Sequence, residues 1–169
     1  CVSKPHLLCA GKQSKNKKNE KFVSKLIIMR KGDEYFLENE LSIGKKISKD
    51  KKYSKYFAPL ISSCPIKFND IDDFGKYKCK YADKYPNNNM VLAKLKKING
   101  LDFLKTMNKY RGKEALTIFF NIYDNVLNGF KLLKKNKIVH YDIKWDNIMY
   151  DTNHKIGVII DFGLSFEID

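Results

Sequence analysis

Residues 140–147 read His-Tyr-Asp-Ile-Lys-Trp-Asp-Asn, and Asp161-Phe162-Gly163 begins fourteen residues after Asn147. Residues 140–147 and 161–163 together hold three carboxylates (Asp142, Asp146, Asp161), an ammonium (Lys144), a carboxamide (Asn147) and an imidazole (His140). Such groups accept protons, offset negative charge and offer oxygen to hard cations, which take oxygen ligands. For any one of them the bland alternative is a solvated loop residue. The information lies in their order and in the elements around them.

Those elements can be read from periodicity. From Glu114 to Asn136, Ala115, Ile118, Phe119, Ile122, Val126, Phe130 and Leu133 recur at helical spacing, the strongest such stripe in the chain. Beyond it come Ile138-Val139, the polar cluster, Ile148-Met149-Tyr150, a turn over 151–154 and Ile156 to Ile160, a pattern of short strands flanking a polar loop. Upstream, Val2 to Leu8 and Phe22 to Met29 read as strands of a hairpin whose tip, residues 10–21, is lysine-rich and polar. From Asp33 to Ile47 apolar residues recur at roughly helical spacing, with acids early and lysines late as the helix dipole favours. The runs around Phe57 to Ile66 and Met90 to Leu95 read as strands separated by a polar stretch, and residues 96–113 as a connector with a short helix.

In this order and setting, H-Y-D-I-K-W-D-N followed by D-F-G resembles the catalytic loop and metal-binding turn of the eukaryotic-type protein kinase superfamily. The resemblance implies an α+β fold: an antiparallel-sheet small lobe at residues 1–98, and at 99–169 part of a helical large lobe carrying the catalytic loop and D-F-G turn. It implies ATP and Mg2+ as cofactors, with nucleotide between the lobes and adenine against Val2 and the strand Met90 to Leu95. Phosphoryl transfer consists mostly of positioning and charge neutralisation. By the family pattern Asp142 accepts or orients the proton of the attacking hydroxyl, Lys144 lies against the transferred phosphate, and Asn147 and Asp161 hold magnesium. His140 braces the loop. The position of Lys144 resembles serine/threonine rather than tyrosine kinases, so a protein substrate is expected. Texture, the opening C-V-S-K-P, F-V-S-K-L and D-I-K-W-D-N are also similar to the divergent kinases of large DNA viruses.

Working upstream, the family's strand lysine matches Lys25 in F-V-S-K-L, with Lys4 the competitor. Its helical glutamate partner matches Glu40, which Ile43 and Ile47 follow at i+3 and i+7, while Glu38 and Glu34 remain open. Departures are informative. No glycine precedes Gly11, so the glycine-rich phosphate loop is expected upstream of Cys1. Tyr141 replaces the arginine of H-R-D and removes the usual receptor for a phosphorylated activation loop. Few residues follow Gly163, so the activation segment and A-P-E motif are absent, and a chain cut at both ends is expected to transfer little phosphate alone. The alternatives are a nucleotide-binding pseudokinase or interaction module, and a small-molecule kinase of the aminoglycoside or choline type.

Composition narrows the partners. The 169 residues carry 33 basic and 19 acidic side chains, a net charge of +14, and 43% are hydrophobic, enough for a core. The positive charge is nearly all lysine, with Arg30 and Arg111 the only arginines, so base-specific nucleic-acid reading, which leans on bidentate arginine, is not expected. No apolar run approaches the ~18 residues of a membrane span, and no export signal opens the chain. An intracellular, cytoplasmic protein is therefore expected; for the viral comparison that means host cytoplasm or virion. Cys1, Cys9, Cys64 and Cys79 lack C-x-x-C spacing, and free thiols are the expectation.

Overall fold

Two runs rich in apolar and β-branched residues, Phe22–Ile28 and Met90–Lys96, make the two central strands of an antiparallel sheet, β2 and β4. The computed structural model describes residues 1–4, 7–9, 21–29, 32, 34–51, 53–71, 79, 84 and 89–168, with Tyr53 and Ser54 described by backbone only. Most of the lysine-rich hairpin tip, residues 10–20, lies outside them. The other elements are β1 (Val2–Ser3), α1 (Glu34–Lys49), α2 (Tyr53–Tyr56), β3 (Leu60–Ile66), β5 (Gly100–Asp102), α3 (Phe103–Lys109), α4 (Gly112–Lys135), β6 (Ile138–Val139), β7 (Ile148–Asp151), β8 (Ile156–Ile159) and β9 (Phe166–Glu167). Antiparallel sheets with helices make this an α+β fold. By internal contacts the chain divides into one unit of residues 1–41 and 60–97 and a second of 42–59 and 98–169.

In the first unit the strand order is β1-β2-β4-β3. Its register sets Val2 opposite Lys25, Lys25 opposite Ala93 and Ala93 opposite Ser63, so these four share one face of the sheet. The opposite face carries Leu26, Ile66, Met90 and Leu92, which close a core with Leu7, Ile71 and Cys79. Pro65 is tolerated because β3 is an edge strand. Of the expected first strand, Val2 to Leu8, Val2–Ser3 pairs with β2, residues 5 and 6 lie outside the described residues, and the Ser24 hydroxyl accepts from the Leu7 amide at 2.9 Å. The cysteines correct the free-thiol expectation. Cys1 is joined to Cys79 and Cys9 to Cys64, with Cα separations of 5.6 and 6.0 Å and no cysteine left over. The partners are 78 and 55 residues apart, so only strand pairing and core packing bring them together.

In the second unit the helical stripe of α4 buries Ile118, Ile122, Val126 and Leu133 against a core that includes Ile43, Ile47, Phe57, Ile148, Ile159 and Phe162. The sheet β5-β7-β8 packs on this helix at Gly157, where an added Cβ would lie 2.8 Å from the Ile122 backbone. Glycine is required there because helix and strand backbones touch. At the end of α4 the Asn136 amide donates to the Leu132 and Leu133 carbonyls, and Lys137 turns in the left-handed region at φ 56°. The chain then enters β6, which pairs with β9, so residues 138–139 and 166–167 run side by side. Segments before the polar cluster and after the D-F-G turn are thereby held together.

Candidate active site

Residues 140–147 leave β6 as an irregular loop and end in a 3-10 turn, Trp145–Asn147, that leads into β7. Tyr141 adopts a left-handed φ of 61°, an unfavourable backbone for a side chain of its size, and sits with its ring exposed. Lys144 donates from Nζ to both oxygens of Asp142, at 3.1 Å to Oδ1 and 2.8 Å to Oδ2. Asn147, buried, donates from Nδ2 to Asp142 Oδ2 and to the Asp142 carbonyl, both at 2.9 Å. The sequence-predicted trio Asp142, Lys144 and Asn147 is therefore one hydrogen-bonded cluster. The Asp142 hydrogen bond holds the Lys144 ammonium above its ordinary range, with the charges of Asp142, Asp161 and Asp146 acting the same way.

Asp161 reaches this cluster by strand pairing. The Ile160 amide donates to the Asn147 carbonyl at 2.9 Å, which closes the β7–β8 hairpin and brings Asp161 beside the loop. Asp161 is itself left-handed at φ 65°, and its Oδ1 accepts from the Gly163 amide at 3.2 Å. A non-glycine residue held in that region at a site of concentrated charge is where fixed geometry outweighs local backbone preference.

His140 is 4% exposed and is bonded on both sides. Its Nδ1 faces the Asp142 amide at 3.4 Å, so Nε2 carries the proton and donates to the Ile160 carbonyl at 3.2 Å. Burial pushes its imidazole below the ordinary value, which the hydrogen bond to Ile160 and the charges of Asp161 and Asp142 only partly offset. A neutral ring fixed between the loop and the strand before Asp161 is a brace. Two further braces escape sequence reasoning. Ser165, 1% exposed, donates to the His140 carbonyl at 3.0 Å, and Phe162 packs with its ring centroid 4.8 Å from His140 and 5.6 Å from Phe57. The available signal was the serine three residues after Phe162, where an apolar neighbour would be ordinary. Trp145, for which the sequence suggests no role, stacks on Phe103 at 4.6 Å.

In the first unit, Lys25 Nζ lies 2.5 Å from Glu40 Oε1, with side chains 17% and 13% exposed. Glu38 is exposed, and Glu34 accepts from the Gly32 amide at 2.9 Å, so of the three candidate acids only Glu40 meets the strand lysine. Lys4 is exposed. Val2, 55% exposed, stands beside Lys25 in the same cross-strand row.

The sequence pattern of the protein kinase domain matches residues 78–169, more than half of the chain. The chain belongs to the protein kinase family. It is similar to death-associated protein kinase 2 of Mus musculus, with 36% identity over 93 residues, 52% of this chain and 24% of that protein. The Homo sapiens protein of the same name matches equally. Mitogen-activated protein kinase kinase kinase 1b of Physcomitrium patens is 34% identical over 74 residues, 40% of this chain and 10% of its own length. The chain thus spans a quarter or less of the curated relatives it matches.

Proposed function

We propose that this chain is catalytic-domain sequence of an ATP- and Mg2+-dependent serine/threonine protein kinase, with small-lobe residues at 1–98 and large-lobe residues at 99–169. The observation that carries the reading is the Asp142 carboxylate held by Lys144 and Asn147. Asp142 accepts or orients the proton of the attacking hydroxyl, in a geometry its two donors keep fixed. Lys144 keeps its proton and sets positive charge where the transferred phosphoryl group gathers negative charge. Its position two residues after Asp142 supports serine and threonine as acceptors.

The donor set suits magnesium. The amide nitrogen of Asn147 is committed to Asp142, which turns its carbonyl oxygen to other partners, and Asp161 adds a charged oxygen donor. Among the described residues no group of three or more His, Cys, Asp or Glu forms a cage. Two protein oxygens are what Mg2+ uses when waters and substrate phosphates complete its octahedron. Bound there, the metal would neutralise phosphate charge. Lys25, oriented by Glu40, would contact the phosphates in the family manner, beside Val2 for the base. A protein carries the acceptor hydroxyl.

The test is ATP binding read as thermal stabilisation of the chain with and without magnesium. The expected result is a magnesium-dependent rise in melting temperature that Asp161→Asn abolishes. Equal stabilisation of variant and parent overturns the assignment.

A further inference from the structure

We propose that Cys1–Cys79 and Cys9–Cys64 act as a redox clamp on the edge strand β1, so that thiol oxidation state controls the strand row in which Lys25 stands. Strand β1 pairs with β2 through Val2–Lys25 and Ser3–Ser24, and beside that register the Leu26 amide donates to the Cys1 carbonyl at 2.9 Å while the Cys1 nitrogen donates to the Leu26 carbonyl at 3.2 Å. The cystines anchor the segment at both ends. Cys1 is tied to Cys79, 1% exposed within the core of Leu7, Leu26, Met90 and Leu92. Cys9 is tied to Cys64 on β3, the opposite edge of the same sheet. Between them the Ser24 hydroxyl accepts from the Leu7 amide and donates to its carbonyl.

The sheet's alternation divides the labour. Ser24, Leu26, Leu92 and Cys64 face the side that the clamped segment covers, whereas Val2, Lys25 and Ala93 face the other side, where Glu40 is bonded. Cross-linking one face therefore fixes the strand that flanks Lys25 on the other without touching the ion pair. Each cystine forms by exchange with an oxidised low-molecular-weight disulfide, RSSR. One cysteine thiolate attacks a donor sulfur and expels RS⁻; its partner attacks the mixed disulfide and expels the second RS⁻. Two protein thiols are oxidised, and one RSSR is reduced to two RSH.

The experiment uses the whole chain equilibrated in glutathione disulfide or in reduced glutathione. After oxidation and denaturing alkylation no cysteine is expected to be labelled, and peptide mapping should recover the 1–79 and 9–64 pairs; after reduction four are labelled. Reduction is expected to lower the melting temperature by about 5–15 °C. It should also speed hydrogen exchange at the Leu26 amide ~10-fold or more while leaving the Ile160 amide unchanged. Cys9→Ser/Cys64→Ser, which keeps the other pair, should show an intermediate exchange rate. Four labelled thiols after oxidation, different pairing, or unchanged Leu26 exchange on reduction overturns the clamp. Control of nucleotide binding rests on reading Lys25 as the phosphate contact, and ATP affinity is expected to fall several-fold on reduction. ATP binding absent in both redox states, with the exchange effect present, supports the clamp and overturns the reading of Lys25.

Discussion

Asp142, Lys144 and Asn147 lie within five residues of one another, whereas Lys25 and Glu40 are fifteen apart and meet only because a strand and a helix pack together. The first cluster is built from a short loop with a left-handed Tyr141 and braces from His140 and Ser165. The second joins a strand lysine to a helix glutamate, both mostly buried. The contrast teaches where each site breaks. Polar groups knit locally lose chemistry when one member changes, while an ion pair between two packed elements loses function through both partners at once.

The sharpest break is Asp142→Asn. The carboxamide keeps the shape but accepts no proton, so in the chain extended to a full kinase domain the rate of phosphate transfer from ATP to a serine peptide is expected to fall ~10²–10⁴-fold with ATP affinity nearly unchanged. Full turnover would remove Asp142 from the role of base.

Next come Lys25→Met and Glu40→Gln. Both remove one contact, so their effects on transfer rate should be non-additive, with a coupling of about 0.5–3 kcal/mol in a double-mutant cycle. Strict additivity would dissolve the pair as a functional unit.

A smaller effect tests the braces of the local cluster. Ser165→Ala leaves the buried His140 carbonyl without its donor and is expected to cost about 1–2 kcal/mol, read as a lower melting temperature. A matching Ser62→Ala on β3 should be near neutral, because Ser62 is exposed.

The mildest test is pH. His140 is held below its ordinary value of 6.5 in the folded chain, so between the two values the unfolded chain binds the extra proton. Its contribution to stability is present above pH 6.5 and is lost as pH falls toward the folded value. Urea midpoints followed from pH 7.5 to 5 should decline, and His140→Asn should flatten that decline.

The two regions also differ in how far the sequence reveals them. Periodicity alone places α4 within two residues at its start, because a stripe of seven apolar positions from Ala115 to Leu133 has no competing reading. The cluster of Asp142, Lys144 and Asn147 was legible for a related reason: polar groups confined to eight residues leave their spacing in the chain. Elsewhere local pattern says less. Within the run Val2 to Leu8, Val2–Ser3 is strand, and the Ser24 hydroxyl bonds both the amide and the carbonyl of Leu7, a contact between distant residues. The short helix α2 and strand β9 carry too few residues for a period to show.

What the sequence determined by itself is therefore the order of the elements, the polar cluster of 140–147 and the D-F-G turn, because each is encoded by residues close along the chain. Only the tertiary structure decided that Glu40, not Glu38 or Glu34, meets Lys25, that Ser165 closes on His140, and that the cysteines pair. Those contacts span 15 to 78 residues. Their existence depends on strand register and on which helix face is buried, and neither leaves a local signature when several chemically equal candidates stand within two turns of one helix.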